Sequence, residues 1–504
     1  MAALSRPWRA GLTVAAATLG VGAFTLNRSL VGGFYDDGLY AGIAVAMGQG
    51  MGYVHPHLPG TPAVVHYPPL YPLVLTPLFA ACSVATAAFL GLILNLVLAA
   101  TTAGLVAAHA VRIRLLGADA PGWLAPLCVL GAAVAIPVLT VQSVLFAEPL
   151  FGLLFAAAIA GADHAPERRR PVVAAAAAGT LAALALLTRS IGLAFGAGLP
   201  VFLLVARRRP WTEALAAAVP IVAAAAAWGL WIATHSGAID PALAINYGGY
   251  GETLRQAGVG VVWRSVPELL RPLGALTLGW LPFAWVFYPA AAAALGVGVY
   301  GLLLLLRRSA IGFTLLGYFA ILVLWPFPSD RFLWGILPWL ALSWTAGALA
   351  LLRNPRMRLA VIVVAALVLT GFAQYQIRGV AGRWWASQRE RISENFAELL
   401  PGLAALPDNT VLATDDEALV WLYTRRTAVP FYVYGYRHGV ETEPTVVEHR
   451  RYLERQGVTR VLFSGFGSGS DRELDALLGA YPEWLTMERA WPGGRALFTV
   501  NRGR

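Results

Sequence analysis

Long apolar runs separated by short polar connections organise the first three quarters of the chain. They fall near residues 10–27, 84–110, 122–141, 147–162, 172–188, 191–206, 212–235, 282–306, 310–326, 332–352 and 359–376. Each approaches the roughly 20 residues that a helix needs to cross the hydrocarbon of a bilayer. Only a helix satisfies its own backbone there without neighbours, so the pattern predicts about eleven membrane helices. The first run follows a basic start, as in a signal peptide, but no small-residue cleavage site follows it, and it reads as a retained helix.

From about Gln376 the pattern changes to short strands alternating with amphipathic helices. A helix is expected around Arg383 to Leu406, then a strand "TVLAT", helices from Asp416 and Pro444, a strand "RVLFSG", a helix from Ser470 and terminal strands. "GFGSGS" after a strand could cradle phosphate, yet it lacks the GxGxxG spacing, and Ser470 with Glu473 reads as a capping box at a helix entry. The predicted fold class is a polytopic α-helical membrane protein, residues 1–376, with a soluble α/β domain, residues 377–504.

Composition agrees with this division. Of 504 residues 58% are hydrophobic and 13% charged, against roughly 25% charged in an ordinary soluble domain. Every basic residue is arginine, which together with the alanine and glycine content suggests a GC-rich bacterial genome. Cys82 and Cys128 both sit in apolar segments and support neither a disulfide framework nor a cysteine metal cluster. No nucleic-acid partner is expected.

The arginines set the orientation. Arg6 and Arg9, Arg112 and Arg114, Arg168 to Arg170, Arg207 to Arg209, Arg307 and Arg308, and Arg353, Arg356 and Arg358 fall in alternate connections, fifteen in all. The opposite connections hold only Arg28, Arg189, Arg255, Arg264, Arg271 and Arg331. By the positive-inside rule the first set is cytoplasmic, and with an odd number of spans the C-terminal domain is extracytoplasmic. Residues 377–504 carry sixteen arginines and sixteen acids, so the net charge of +10 belongs to the membrane half.

This topology gathers the conspicuous ionisable groups at the outer interface: Asp36 and Asp37 after the first span, Glu148 opening the fourth, Arg189 between the fifth and sixth, and Asp330 and Arg331 in "WPFPSDRFLWGILPWL". Unpaired charge at membrane depth costs at least about 2.5 to 3.5 kcal/mol, so such groups usually face a cavity. Structural readings exist for each. Arg189 and Arg331 could snorkel to headgroups, Glu148 could favour a helix N-terminus, and one aspartate could cap the helix "DGLYAGIAVAMGQG".

Capping explains one aspartate better than two. Two adjacent carboxylates remain ionised only among cations or donors, and such a pair can divide its work, one acid taking the proton of an acceptor hydroxyl and the other holding the loop. A phosphate leaving group departs as an anion that arginine can grip bidentately, whereas a glycosidase would need a second carboxyl to protonate the leaving oxygen. In the same loop Tyr40, Tyr67 and Tyr71 offer stacking surfaces. His55, His57 and His66 could bind a divalent metal, although their spacing is not diagnostic. The long outer connection from His235 to about Leu281 brings Asn246, Tyr247, Tyr250 and Glu252 as groove-lining candidates.

The segments Asp36-Asp37-Gly-Leu-Tyr40-Ala and Tyr67-Pro68-Pro69-Leu70-Tyr71-Pro72, with Glu148 and "DRFLWGILP", resemble the GT-C glycosyltransferases. The likeness is to the bacterial branch of protein O-mannosyltransferases and lipid A aminoarabinose transferases. "VLATDDEALVWLYTRRTAVP" is similar to the extracytoplasmic α/β domain that many of them carry. The resemblance implies a GT-C-like fold and an inverting transferase of the bacterial plasma membrane. Its donor would be a polyprenyl-phosphate-linked sugar and its acceptor a hydroxyl on a glycan, lipid or protein. Asp36 would be the base, Asp37 and Glu148 would shape the site, and Tyr40, His66, Tyr67, Tyr71, Asn246 and Tyr247 would contact substrate. Aminoarabinose transferases place a lysine before the proline segment; here His66 and Tyr67 stand there, so phosphate contact passes to Arg189 or Arg331, and aminoarabinose is not carried over as the sugar. The rival classes are a transporter or lipid-sugar flippase and a non-catalytic envelope assembly protein. The absence of an evident internal repeat and the one-sided clustering of candidate residues favour the transferase.

Overall fold

The computed structural model describes residues 6–258, 260–325, 327–437, 440–465 and 470–501. Each of the eleven apolar runs coincides with a helix or with two or three closely spaced helical segments. Among the described residues six helices are long and apolar enough to cross a membrane, or seven when a bent pair counts as one span. Arg6–Ala23, Ser190–Ala206, Ala310–Val323 and Leu337–Leu352 correspond to the other runs. The protein is a multi-pass membrane protein.

The connection predicted after His235 is instead largely helical, with Ala244–Tyr247, Tyr250–Ala257 and Val261–Thr277. The last of these alternates apolar and charged faces through "WRSVPELLRP", a pattern that a search for continuous apolar runs passes over. Leu70–Ala81, right behind the proline segment, is a further short apolar helix.

Packing divides the chain into two units: residues 1–26, 92–229 and 261–386, and residues 27–91, 230–260 and 387–504. The first outer loop thus groups with the C-terminal segment, whereas composition alone divides the chain at 376.

In the first unit, helices approach through small residues. A Cβ on Gly301 would strike the carbonyl of Ser343, and one on Gly347 the carbonyl of Val297, so Ala284–Arg308 and Leu337–Leu352 pack backbone to backbone. Trp344 Nε1 donates to Ala294 O at 3.0 Å across the same contact. Leu124–Ala133 and Ile136–Gln142 form the bent pair, at 58°. The bend frees the amide of Ile136, which donates to the side-chain oxygen of Gln376 at 2.7 Å, and Gln142 Nε2 answers Ala133 O at 3.3 Å.

The second unit holds seven strands: β1 (Val411–Ala413), β2 (Thr427–Val429), β3 (Gly435–Arg437), β4 (Val440–Thr442), β5 (Arg460–Phe463), β6 (Leu485–Ala490) and β7 (Ala496–Val500). Five of them form a sheet ordered β2-β1-β5-β7-β6, in which β2, β1 and β5 are parallel and β7 and β6 antiparallel. β3 and β4 make a separate hairpin. Helix Ser387–Ala404 buries Ile392, Phe396, Leu399 and Leu403 against Leu412, Leu462 and Leu497. The Thr445–Glu448 capping box opens the helix Val446–Arg455. Residues 466–469 of "GFGSGS" lie outside the described residues. Ser470 begins a helix, and its hydroxyl donates to the Asp415 carboxylate.

Candidate active site

Two clusters of the expected residues form, one within each unit. In the second unit the segment Gly32–Gly38 turns into the helix Asp36–Gly48. Its glycines are sterically required: at Gly32, with φ of +106°, a Cβ would collide with Leu419, and at Gly38 it would collide with Gly32 and Ala418. Tyr35 is held at φ of 62°, where non-glycine residues are rare, so this turn stores strain beside the acids.

The two aspartates have different surroundings. Asp37 is 1% exposed, and its carboxylate accepts the backbone N–H groups of Gly32 at 2.9 Å and Phe34 at 3.0 Å. Burial pushes its pKa up, while those two donors and the Arg389 guanidinium hold it back. Asp36 is half-buried, and its Oδ1 accepts the Tyr67 hydroxyl at 2.7 Å. Asp37 thus fixes the turn that presents Asp36, and Asp36 stays partly exposed at a helix N-terminus, where the dipole favours its anion.

A second layer of this cluster comes from the C-terminal segment. Tyr247 is fully buried, its hydroxyl donates to Glu417, and it lies 3.0 Å from His57 Nε2. The ring of Tyr35 meets that of Tyr247 edge-on at 6.2 Å. Asp415, Asp416 and Glu417 leave the carboxyl end of β1 together; Tyr432 N donates to Asp415 at 2.8 Å and Ser464 Oγ to Asp416 at 2.7 Å. Burial raises Asp416 to about 7 and Glu417 to about 8. None of these three acids, nor Tyr35 or Arg389, was singled out from sequence. Three consecutive acids at the exit of a buried parallel strand, the edge at which α/β sheets bind ligands, were the available signal.

The three loop histidines are buried. His57 is pushed down to about 3 by burial, and His55 is lowered by burial and by His57 and His66 beside it, so both are neutral imidazoles at physiological pH. His66 Nδ1 pairs with Gly248 O at 2.8 Å, and its ring lies 4.2 Å from that of Tyr250. His57 and His66 are thus engaged by protein groups. Among the described residues no group of three or more His, Cys, Asp or Glu side chains is arranged to hold a metal ion. Tyr40 and Tyr71 are buried, their rings 5.0 Å apart, and serve as packing here rather than as an open stacking wall. Tyr67 is anchored to Asp36, and Asn246 is half-buried in the short helix Ala244–Tyr247. The side chain of Glu252 lies outside the described residues.

The first unit joins Glu148, Arg189 and Arg331. Buried Asn95 donates to Val144 O at 2.9 Å and Phe146 O at 3.1 Å, closing the turn that leads into Glu148. Glu148, 3% exposed, begins its helix with Pro149 behind it. Its Oε1 takes Arg189 Nη1 at 2.6 Å and Arg331 Nε at 2.8 Å. Arg189 also lies over the ring of Phe332 at 4.4 Å, and Arg331 over that of Phe146 at 3.5 Å. One carboxylate thus sits between two guanidiniums. Arg331 is the more open cation, its side chain 29% exposed against 11% for Arg189. Simple snorkelling does not describe either residue, because both point to a buried partner.

No family profile matches the sequence. No curated protein matches it in sequence either. Solved structures match over nearly the whole chain. ArnT from Cupriavidus metallidurans in the apo state superposes with a TM-score of 0.52 at 17% identity over 97% of both chains. The same protein bound to undecaprenyl phosphate gives 0.47 at 15% identity, again over 97% of both chains. The archaeal oligosaccharyltransferase AglB from Archaeoglobus fulgidus, in complex with an inhibitory peptide and a dolichol-phosphate, gives 0.48 at 12% identity over 98% of this chain and 74% of that one. A membrane-helical part, an α/β part and end-to-end superposition on ArnT together show that this chain shares the fold of ArnT.

Proposed function

We propose that the protein is an inverting glycosyltransferase that moves a sugar from a polyprenyl-phosphate donor to a hydroxyl acceptor at the outer face of the bacterial plasma membrane. The observation that carries this reading is the asymmetry of the aspartate pair: Asp37 is buried and bonded to two backbone N–H groups, whereas Asp36 is partly exposed and oriented by Tyr67.

In the proposed reaction the acceptor oxygen bonds to the anomeric carbon as its proton passes to Asp36. The bond from that carbon to the phosphate oxygen breaks, and the electron pair departs with the polyprenyl phosphate. A single displacement inverts the anomeric centre. The leaving group carries its own negative charge and needs cations rather than a general acid, which is the role proposed for Arg331 and Arg189, with Glu148 fixing their planes. The arginine asymmetry along the sequence supports an extracytoplasmic C-terminal domain.

The test is transfer from radiolabelled polyprenyl-phosphate sugars by the purified full chain, compared with Asp36→Asn. General-base removal should lower turnover by about 10²- to 10⁴-fold with the thermal transition unchanged. Equal turnover in the two proteins removes Asp36 as base, and movement of lipid across vesicles without transfer replaces the reading by a transport function.

A further inference from the structure

At the cytoplasmic ends of the first unit's helices, on the arginine-based topology, lies a cavity of about 500 Å³ lined by Arg112, Arg114, Arg207, Arg307 and Arg308. Its size falls within the range that holds small ligands, roughly 300–1,000 Å³. Four helical segments end here: Val84–Arg112, Glu148–His164, Phe202–Ala206 and Ala284–Arg308. Helix C-termini favour cations, so some of this arginine is answered from within the protein. Arg308 Nη1 donates to Leu115 O at 2.8 Å and Arg207 Nη2 to Arg308 O at 3.4 Å.

The carboxylates of the lining are likewise engaged. Asp163 sits buried on the floor, taking His109 Nε2 at 2.8 Å, Ser309 Oγ at 2.5 Å and the backbone N–H of Ala310 at 2.7 Å. Glu167 lies 3.5 Å from His164. Among the described residues, Arg112, Arg114 and Arg307 have neither a carboxylate nor a carbonyl partner. By contrast Arg353, the next arginine along this face, is paired with Asp119 at 2.7 Å.

We infer that this cavity binds a phosphate-type anion, the headgroup phosphate of an anionic phospholipid. Three exposed guanidiniums converge on a recess between helix ends, where they offer forked donors to phosphate oxygens, and basic recesses of this kind on the cytoplasmic side select anionic headgroups. The inference is independent of the transferase reading.

Native mass spectrometry of the detergent-solubilised full chain tests it, with phosphatidylglycerol and phosphatidylcholine as probes at equal concentration. The wild type should retain phosphatidylglycerol in preference. Arg112→Gln with Arg307→Gln should weaken that retention about tenfold or more, since each basic residue near a charged lipid contributes a several-fold factor. Arg169→Gln with Arg170→Gln removes the same charge from the same face outside the cavity and should change little. Inorganic phosphate that binds lipid-free protein with the same variant dependence keeps the anion site and identifies free phosphate as its ligand. Equal loss in the two double variants, or no preference between the two lipids, overturns the inference, because diffuse surface charge then suffices.

Discussion

The two acid-centred clusters solve the problem of buried charge in opposite ways. Around Glu148 two guanidiniums share the carboxylate's Oε1. Around Asp37 and Glu417 the acids are crowded with tyrosines, neutral imidazoles and backbone donors, and burial moves them toward their protonated forms. The first arrangement is a carboxylate held between two planar cations. The second is a reservoir of protonatable groups behind one approachable aspartate.

The contrast breaks most visibly at Arg189. Arg189→Met leaves Glu148 with half of its compensation, and removing a partner from a buried ion pair costs on the order of 3–5 kcal/mol. Thermal unfolding followed by tryptophan fluorescence should show a large fall in midpoint, and adding Glu148→Gln should recover much of it; no recovery means that the charge pairing is not what holds the site. Asp37→Asn comes next. An amide cannot accept both N–H groups as the carboxylate does, so about 1–3 kcal/mol should be lost, with sugar transfer per folded molecule far less affected than in Asp36→Asn. Comparable stability losses in the two variants would erase the proposed division of labour.

The pH dependence sharpens the same comparison. Glu417, at about 8 in the folded chain, lies above its unfolded value, so its protonated form is favoured by folding. The associated stability is fully present below the unfolded carboxylate value and is lost as pH rises toward 8. The lowered histidines act in the other direction and only below their unfolded value near 6.5. Stability should therefore decline between about pH 6.5 and 8, by on the order of 1 kcal/mol per pH unit for each such acid. Glu417→Gln should flatten that decline, and an unchanged slope would reassign it to other groups. Smallest is Arg353→Gln, which severs an exposed ion pair to Asp119 and should cost less than about 1 kcal/mol.

Much of this was legible in the sequence because apolar runs and paired charges are local signals. The runs locate the helices, "TVLAT" and "RVLFSG" locate β1 and β5, and the arginine pattern assigns Glu148, Arg189 and Arg331 to one interface, while their mutual contact comes from the structure. The amphipathic helix Val261–Thr277 and the short strands β2, β3 and β4 were not, since three residues of strand carry almost no period. The grouping of Asp37 with Arg389 and of Tyr247 with Glu417 was illegible for a different reason. Those partners lie 170 or more positions apart, and the close fit of Gly32 and Gly38 against Ala418 and Leu419 helps to bring the segments together.

The bend between Leu124–Ala133 and Ile136–Gln142 has a consequence for hydropathy as a guide to this protein. Gln376 is a blemish by lipophilicity, and leucine in its place would read as a better span. Yet the amide of Ile136, released by the turn, is buried away from water, and the glutamine oxygen takes the place that water would have had. Greasing this position would produce a segment that inserts more readily and folds less well, so that membrane entry and native assembly make opposite demands on a single side chain.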